Sequence, residues 1–309
     1  MRPITLAVVL LSFAACGPGS DRGDDGSGGD GGSGSGSGSG NQDGCSDAAK
    51  LVYVVDSNDT FSKFDPATKT FTDIGQLNCP TSGGQPFSMG VDRNATAYVL
   101  YSGVNPITGD VTSTEIFKVD TTQAGLPCTK TTFAGTADFK QFGMGFSTDT
   151  AMGSTDTLFI AGSPGVGTGT TKLGKLDVGT MQVTPVGSIT GDPELTGTGS
   201  AELWAFFPSD TTGATDPKVG KLDKATGTLS TPYTLTALKG IPNAWAFAFW
   251  GGDYWVFLAK STSGPLPTPG KTIVYQVDGM NGSIKGMTNT MTRTIVGAGV
   301  STCAPVVIL

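Results

Sequence analysis

The chain of 309 residues contains no histidine, and this absence limits its chemistry more than any residue that is present. It excludes Ser-His-Asp and Cys-His nucleophile systems, histidine metal centres and the commonest general base near neutral pH. Glutamate is also scarce, and occurs only at Glu115, Glu194 and Glu202. Any catalysis would therefore depend on these three side chains or on aspartate, lysine or tyrosine.

Further absences narrow the range of ligands. The chain has no Cys-x-x-Cys pair and no twelve-residue calcium-loop pattern, so we predict no metal site and no cofactor. The formal net charge is −7, and no basic stripe is present that would neutralise phosphates, so nucleic acid is not an expected partner. Long helical periodicity is absent after residue 50, which favours an all-β fold.

What the sequence does contain is a pattern repeated five times. Its first element is a strand in which two small residues are separated by one other residue. Its second element is a strongly apolar strand, and in four copies this strand precedes a hairpin signal. Small residues are typical of strands that crowd around a narrow axis, where their backbones approach closely. The five copies of the first element are Phe87-Ser88-Met89-Gly90, Phe142-Gly143-Met144-Gly145, Thr196-Gly197-Thr198-Gly199, Trp245-Ala246-Phe247-Ala248 and Val296-Gly297-Ala298-Gly299.

The hairpin signal is an aspartate that recurs every 46 to 57 residues. An aspartate that bonds the backbone two residues on, followed by a glycine suited to a left-handed conformation, is typical of a tight hairpin. Because a single catalytic role would not be copied into every repeat, we assign these aspartates to turns. A period of this length predicts a radial array of four-stranded blades. The aspartates are Asp65, Asp120, Asp177, Asp223 and Asp278.

The two ends of the repeat region supply complementary parts of one blade. The first apolar strand, 51–55, has no small-residue strand before it, whereas the last such strand, 294–299, has nothing after it. If the last strand completes the first blade, the ring closes and no sheet edge is left open. We therefore predict a five-bladed β-propeller, with a six- or seven-bladed propeller-like fold as the alternative. The predicted blades are 294–299 with 51–73, 85–134, 140–189, 194–235 and 243–288.

The N-terminus differs in kind from the rest. Met1-Arg2 gives a positive start, residues 4–13 an apolar run, and Ala14-Ala15-Cys16 a small-residue cleavage site, which is typical of a secretory signal. Its ending on cysteine resembles a bacterial lipoprotein signal over 1–16, which implies lipidation of Cys16; a plain signal with an incidental cysteine is the alternative. Residues 17–44, rich in Gly, Ser and Asp, predict a disordered linker with a reach of roughly 30 Å. Aspartate after the lipidated cysteine is usually associated with retention at the inner membrane, so Gly17 at this position favours the outer membrane or cell surface. We assign the propeller domain to residues 45–309.

The four remaining cysteines predict disulfides in an oxidising compartment. Four cysteines allow three pairings. In the predicted ring, Cys303 follows the closing strand and Cys45 precedes the strand that it joins, so we favour a Cys45–Cys303 bond. Cys79–Cys128 then follows by elimination.

One face of the predicted ring carries the candidate binding residues. The connections between second and third strands (102–114, 161–171, 207–218 and 260–271) are long and unlike one another, and such loops usually carry specificity. The segments leading into the innermost strands emerge on the same face. Aromatic rings there can stack on a sugar or peptide while an amide or carboxylate fixes its orientation; the alternative is that they pack between blades. The candidates are Phe87, Phe142, Glu194, Asn243 and Trp245.

Residues 51–309, with hairpins such as Phe64-Asp65-Pro66-Ala67-Thr68, resemble the repeat-built propeller lipoproteins of bacteria. That resemblance implies no assigned activity. We expect a monomeric, non-catalytic binding module, attached to the cell envelope only through its lipid, for a glycan, a peptide or a surface-protein partner. One alternative is a structural component of an envelope assembly. The other is a glycoside hydrolase with two carboxylates on the bond it cleaves, drawn from Asp92, Glu194, Glu202 and Asp253.

Overall fold

The computed structural model describes residues 45–165, 171–262, 270–290 and 292–307. The predicted signal at 1–16 with Cys16, and the predicted linker at 17–44, lie outside the described residues, and both assignments stay predictions. Among the described residues, no helix is both long and apolar enough to cross a membrane. The helices there are two 3-10 turns, Ala48–Lys50 and Thr236–Leu238.

All other regular structure in the described part of the chain is β-strand. The strands are β1 (Val52–Asp56), β2 (Thr60–Asp65), β3 (Thr70–Gln76), β4 (Gln85–Val91), β5 (Thr96–Val104), β6 (Val111–Asp120), β7 (Cys128–Lys130), β8 (Gln141–Thr148), β9 (Asp156–Ser163), β10 (Thr171–Leu176), β11 (Val183–Ile189), β12 (Glu194–Gly197), β13 (Leu203–Phe207), β14 (Lys218–Leu222), β15 (Leu229–Thr234), β16 (Pro242–Trp250), β17 (Asp253–Lys260), β18 (Thr272–Asp278), β19 (Ile284–Asn289) and β20 (Ile295–Gly299).

These strands form five antiparallel four-stranded sheets, which confirms the prediction of a five-bladed β-propeller over a six- or seven-bladed one. Blade 1 has the order β20-β1-β2-β3, so the last strand of the chain is its innermost strand. Tyr53 pairs with Gly299 and Val54 with Ala298 in this closure. Blades 2 to 5 use consecutive strands: β4 to β7, β8 to β11, β12 to β15 and β16 to β19.

The innermost strands, β20, β4, β8, β12 and β16, each contact the next around the ring. The approach is so close that a side chain cannot be added at several glycines. A Cβ atom at Gly143 would lie 2.2 Å from the carbonyl oxygen of Pro193, and one at Gly197 would lie 2.1 Å from that of Phe146. The small residues of the repeat therefore have the packing role that the sequence predicts.

The hydrophobic core is divided among the gaps between blades, and one buried cluster joins each adjacent pair. Between blades 1 and 5, the ring of Phe64 packs edge-on against Trp255 and Phe257, with both centroid distances 5.2 Å. Full burial of such an apolar side chain stabilises the fold by roughly 1.5–3 kcal/mol. The ring is therefore held together mainly by contacts between blades.

The recurrent aspartates lie in the outer hairpins as predicted. In blade 4, Asp223 Oδ1 accepts hydrogen bonds from the backbone N–H groups of Ala225 (2.9 Å) and Thr226 (2.8 Å). Hydrogen bonds hold the pKa of all five aspartates below the ordinary value: the main donors are backbone N–H groups for Asp177 and Asp223, threonine hydroxyls for Asp65 and Asp120, and the Lys285 ammonium for Asp278. Gly227 has the left-handed conformation in this hairpin. Lys69 and Met181 adopt the same conformation in the hairpins of blades 1 and 3, so glycine is not essential at this position.

The described part of the chain contains two disulfides, Cys45–Cys303 and Cys79–Cys128. The first joins residues 258 apart in sequence and fixes the segment after β20. The second joins residues 49 apart and connects the outer parts of blades 1 and 2. In that C-terminal segment, the hydroxyl of Ser301 donates to the carbonyl oxygen of Ala49 at 2.7 Å, which adds to the closure.

Candidate functional site

The innermost strands of blades 2 to 5 and β20 all begin at the same face of the propeller, which we call the pocket face. The connections between second and third strands emerge on this face, because each blade is an antiparallel meander. A pocket of about 680 Å³ opens here, over the start of the innermost strands. We call it the central pocket, and its wall includes Phe87, Lys140, Gln141, Glu194, Asn243 and Trp245.

Three of the innermost strands have a β-bulge where they border the central pocket. In β4, Pro86 pairs with Tyr101 and Ser88 with Leu100, which leaves Phe87 as the extra residue. Corresponding shifts leave Asn243 unpaired in β16 and Val296 unpaired in β20. A bulge bends its strand and changes the direction of the side chain that it carries. All three extra residues line the central pocket.

The aromatic candidates divide into two groups. Phe87 and Trp245 are half-buried, pack against the inter-blade clusters with part of their surface, and line the pocket with the rest. Trp245 Nε1 donates to the carbonyl oxygen of Asp192 at 3.1 Å, which fixes the orientation of the indole. Phe142 is 1% exposed and packs edge-on against Phe133 with centroids 5.5 Å apart. Phe142 is therefore a core residue that lies outside the wall of the central pocket.

Glu194, the first residue of β12, is a buried carboxyl group in the pocket wall and is 3% exposed. The hydroxyl of Ser88 donates to its Oε2 at 2.9 Å. Burial raises the pKa of Glu194 well above its ordinary value, although the hydrogen bonds from Ser88 and from backbone N–H groups oppose this effect. The carboxyl therefore keeps its proton at pH values where an exposed glutamate has lost it, and can donate as well as accept a hydrogen bond.

Amide and ammonium groups complete the polar part of the wall. Gln141 is buried, and its Nε2 donates to Ser102 Oγ at 3.1 Å. Asn243 is exposed, and Lys140 is partly exposed. The backbone of Lys140 is held by the hydroxyl of Thr114, which donates to its carbonyl oxygen at 2.9 Å. Donors and acceptors thus lie beside the two aromatic rings.

The axis of the ring is closed beyond the central pocket. Further along the axis the innermost strands enclose a void that has no room for a water molecule. The pocket is therefore blind at this point and opens to solvent at the pocket face. The void is bordered by Met89, Met144, Leu195, Phe247 and Ala298, among others.

The remaining carboxylates that the sequence offered for glycoside hydrolysis do not join Glu194. Asp92, Glu202 and Asp253 lie at the opposite ends of the strands, beside the connections between first and second strands. Glu202 forms an ion pair with Lys221 at 2.7 Å, and Asp253 one with Lys285 at 2.7 Å. The other carboxylate in the wall of the central pocket is that of Asp110, which is exposed.

Sequence reasoning missed Lys140, Gln141 and Val296 as pocket residues. A positional signal was available for each of them. Val296 is the first residue of the fifth small-residue strand and corresponds to Phe87 and Trp245, while Lys140 and Gln141 directly precede Phe142 of the second copy. Within the described ranges, no three carboxylate or thiol side chains come together in an arrangement that could hold a metal ion.

No protein-family model matches the chain, and no curated protein matches it in sequence. Solved structures do show similarity in fold. One is an exo-β-1,3-galactanase from Clostridium thermocellum, which aligns with 8% sequence identity and a TM-score of 0.46 over 77% of this chain. The alignment covers 52% of that protein, so the chain spans about half of its length.

Proposed function

We propose that this protein is a non-catalytic carbohydrate-binding module. The observation that carries the proposal is the combination, in one blind pocket, of two oriented aromatic side chains with several hydrogen-bonding groups. Phe87 and Trp245 offer apolar ring surface to a sugar, and the amides of Gln141 and Asn243 offer donors and acceptors to its hydroxyl groups. The pocket volume of about 680 Å³ is within the roughly 300–1,000 Å³ of small-molecule sites.

The buried carboxyl of Glu194, whose pKa is raised by burial, suits this ligand class when it is protonated. A neutral carboxyl presents one O–H donor and one carbonyl acceptor, which match the paired hydroxyl groups of a sugar. An ionised carboxylate in the same buried position would carry an unpaired charge, because no ion pair with Glu194 occurs among the described residues. The pocket therefore favours an uncharged polar ligand over an anion.

Glycan-array binding tests the proposal. We expect saturable retention of the protein on a subset of glycans without turnover, and a loss of at least about tenfold in affinity, equal to about 1.4 kcal/mol, in Trp245→Ala and Asn243→Ala. Asn94→Ala is the matched control, because Asn94 is exposed in the turn between β4 and β5, away from the pocket face. Unchanged glycan binding in both pocket variants contradicts the proposal. Retention on peptides alone, or crosslinking to one envelope protein, supports a peptide-binding or structural role instead.

Glycoside hydrolysis is the second candidate, and the buried position of the Glu194 carboxyl in the pocket wall, which raises its pKa, is the observation that favours it. A glycosidase needs a protonated carboxyl as general acid and a second carboxylate across the bond. Asp110 is the exposed carboxylate on the same pocket wall. The test is whether the wild-type protein releases the aryl group from aryl glycosides. If it does, and if Glu194→Gln and Asp110→Asn each abolish the release, the enzymatic proposal replaces the binding proposal.

We further propose that the protein is anchored in a bacterial envelope by lipid on Cys16, at the outer membrane or cell surface. The support is the pattern of residues 1–16 and the Gly, Ser and Asp composition of 17–44. Two disulfides also agree with an oxidising compartment. Metabolic labelling with a radioactive fatty acid tests this: the label enters the wild-type protein and is lost in Cys16→Ser. Equal labelling of the two, or none in either, contradicts it.

A further inference from the structure

We propose that the ligand is a neutral oligosaccharide of at least two units, which extends past Trp245 from the central pocket into a second compartment. This inference rests on the carbohydrate-binding function proposed above and specifies the length and charge of the ligand. It follows from three features of the pocket face: the shape of the adjoining cavity, the fixed position of Trp245, and the distribution of charge.

The second compartment is a cavity of about 330 Å³ on the same face. It lies between the segment that leads into β12 and the connection from β13 to β14, and its wall includes Thr190, Phe207 and Ser209. Pro242 and Trp245, near the start of β16, line both this cavity and the central pocket. The two cavities therefore adjoin at these two residues, and a chain molecule can occupy both.

Trp245 is suited to separate two binding positions. Its indole is held by the hydrogen bond to the Asp192 carbonyl oxygen and by packing against the core between blades 4 and 5. A rigid aromatic side chain makes a large contact at a low cost in conformational entropy, so it can support a sugar ring or the linkage between two rings. The central pocket alone has the volume of a small-molecule site. A ligand that occupies it can therefore place additional sugar units in the second compartment.

The charges of the second compartment determine which units fit. Among the described residues, three carboxylates border it, those of Asp192, Asp210 and Asp216, against the ammonium group of Lys218 and that of Lys239, which forms an ion pair with Asp216 at 3.4 Å. Hydrogen bonds from Thr212 and Ala214 hold the pKa of Asp210 below its ordinary value, so this carboxylate is ionised at neutral pH. The Lys218 ammonium lies 5.1 Å from the ring centre of Phe207, with which it makes a cation–π contact. The excess of negative charge disfavours uronic acid or sulfated units there.

Titration calorimetry with oligomers of glucose, galactose, mannose and N-acetylglucosamine, each one to six units long, tests the inference. For a series that binds, we expect affinity to rise by roughly tenfold once the chain is long enough to pass Trp245, and then to level off. Oligomers of glucuronic acid should show no such increase. Affinity that is independent of length, or an equal increase with glucuronic acid, overturns the inference while leaving the carbohydrate-binding function in place.

A pair of variants at one position separates the second compartment from the central pocket. Thr190 is exposed at the wall of the second compartment alone. Thr190→Trp fills that cavity and should remove the increase with length, while leaving the affinity for the shortest bound oligomer unchanged; Thr190→Ala should retain the increase. An increase that persists in a Thr190→Trp protein with wild-type Tm overturns the inference. Absence of binding to any sugar contradicts the proposed function, and the inference falls with it.

Discussion

Glu194 should make the protein less stable as the pH rises, and Glu194→Gln should remove this effect. Burial raises the pKa of Glu194 in the folded protein, whereas its pKa in the unfolded chain is about 4.3. At pH values between these two pKa values, the folded protein holds a proton that the unfolded chain releases. Stability then decreases with pH by up to about 1.4 kcal/mol per pH unit in that window. Glutamine has nearly the same shape, still accepts from Ser88 and does not ionise.

The free energy of unfolding of both proteins, measured by urea titration at half-unit steps from pH 4 to pH 8, provides the assay. At pH 4, just below the unfolded pKa, the carboxyl is protonated in the folded protein and mostly protonated in the unfolded chain, so we expect only a small difference. Above the unfolded pKa, Glu194→Gln should gain on the wild type with a slope approaching 1.4 kcal/mol per unit, and the gain should level off once pH passes the folded pKa. A difference that stays constant over the whole range refutes the reasoning.

Glu115→Gln is the matched control because the same substitution should act in the opposite direction. Burial of Glu115 opposes its ionisation, but hydrogen bonds from Lys130 and Ser82 outweigh burial and lower its pKa. A lowered folded pKa gives stability that is present above the unfolded pKa and is lost as pH falls through the folded value. Glu115→Gln should therefore be less stable than the wild type at pH 7, and the deficit should narrow in acid. Both variants shifting in the same direction would show a general effect of glutamine.

Three further predictions concern the scaffold. Cys303→Ser opens a loop of 258 residues and should lower stability under oxidising conditions by up to about 5.6 kcal/mol in the chain-entropy model, with no difference from the wild type in reductant; an unchanged Tm without reductant contradicts it. Gly197→Ala places a Cβ against the Phe146 carbonyl oxygen and should cost at least about 2 kcal/mol in urea unfolding. Its control, Gly75→Ala, meets only Leu126 at 3.4 Å and should be nearly neutral, so equal losses would argue against the packing role. Asp223→Ala should lower Tm at pH 7, and the deficit should shrink below pH 4, as the wild-type carboxylate with its lowered pKa takes up a proton; a deficit that grows in acid contradicts this.

The sequence alone was sufficient for the architecture because each blade repeats the same local signals. The small-residue strands, the aspartate hairpins and the incomplete first and last repeats predicted five blades and their closure by β20. The same register predicted the Cys45–Cys303 bond, which the structure contains. Such information is readable in sequence because strand periodicity and turn chemistry depend on residues close together along the chain.

The wall of the candidate site was decided by the tertiary structure. The sequence could place Phe87, Phe142 and Trp245 at the same repeat position, but it could not show that Phe87 and Trp245 reach the pocket while Phe142 packs in the core. The bulges at Phe87 and Asn243 depend on cross-strand register, to which two strands contribute. The raised pKa of Glu194 depends on burial by several blades at once. These properties arise from residues far apart in the chain, so only the assembled ring determines them.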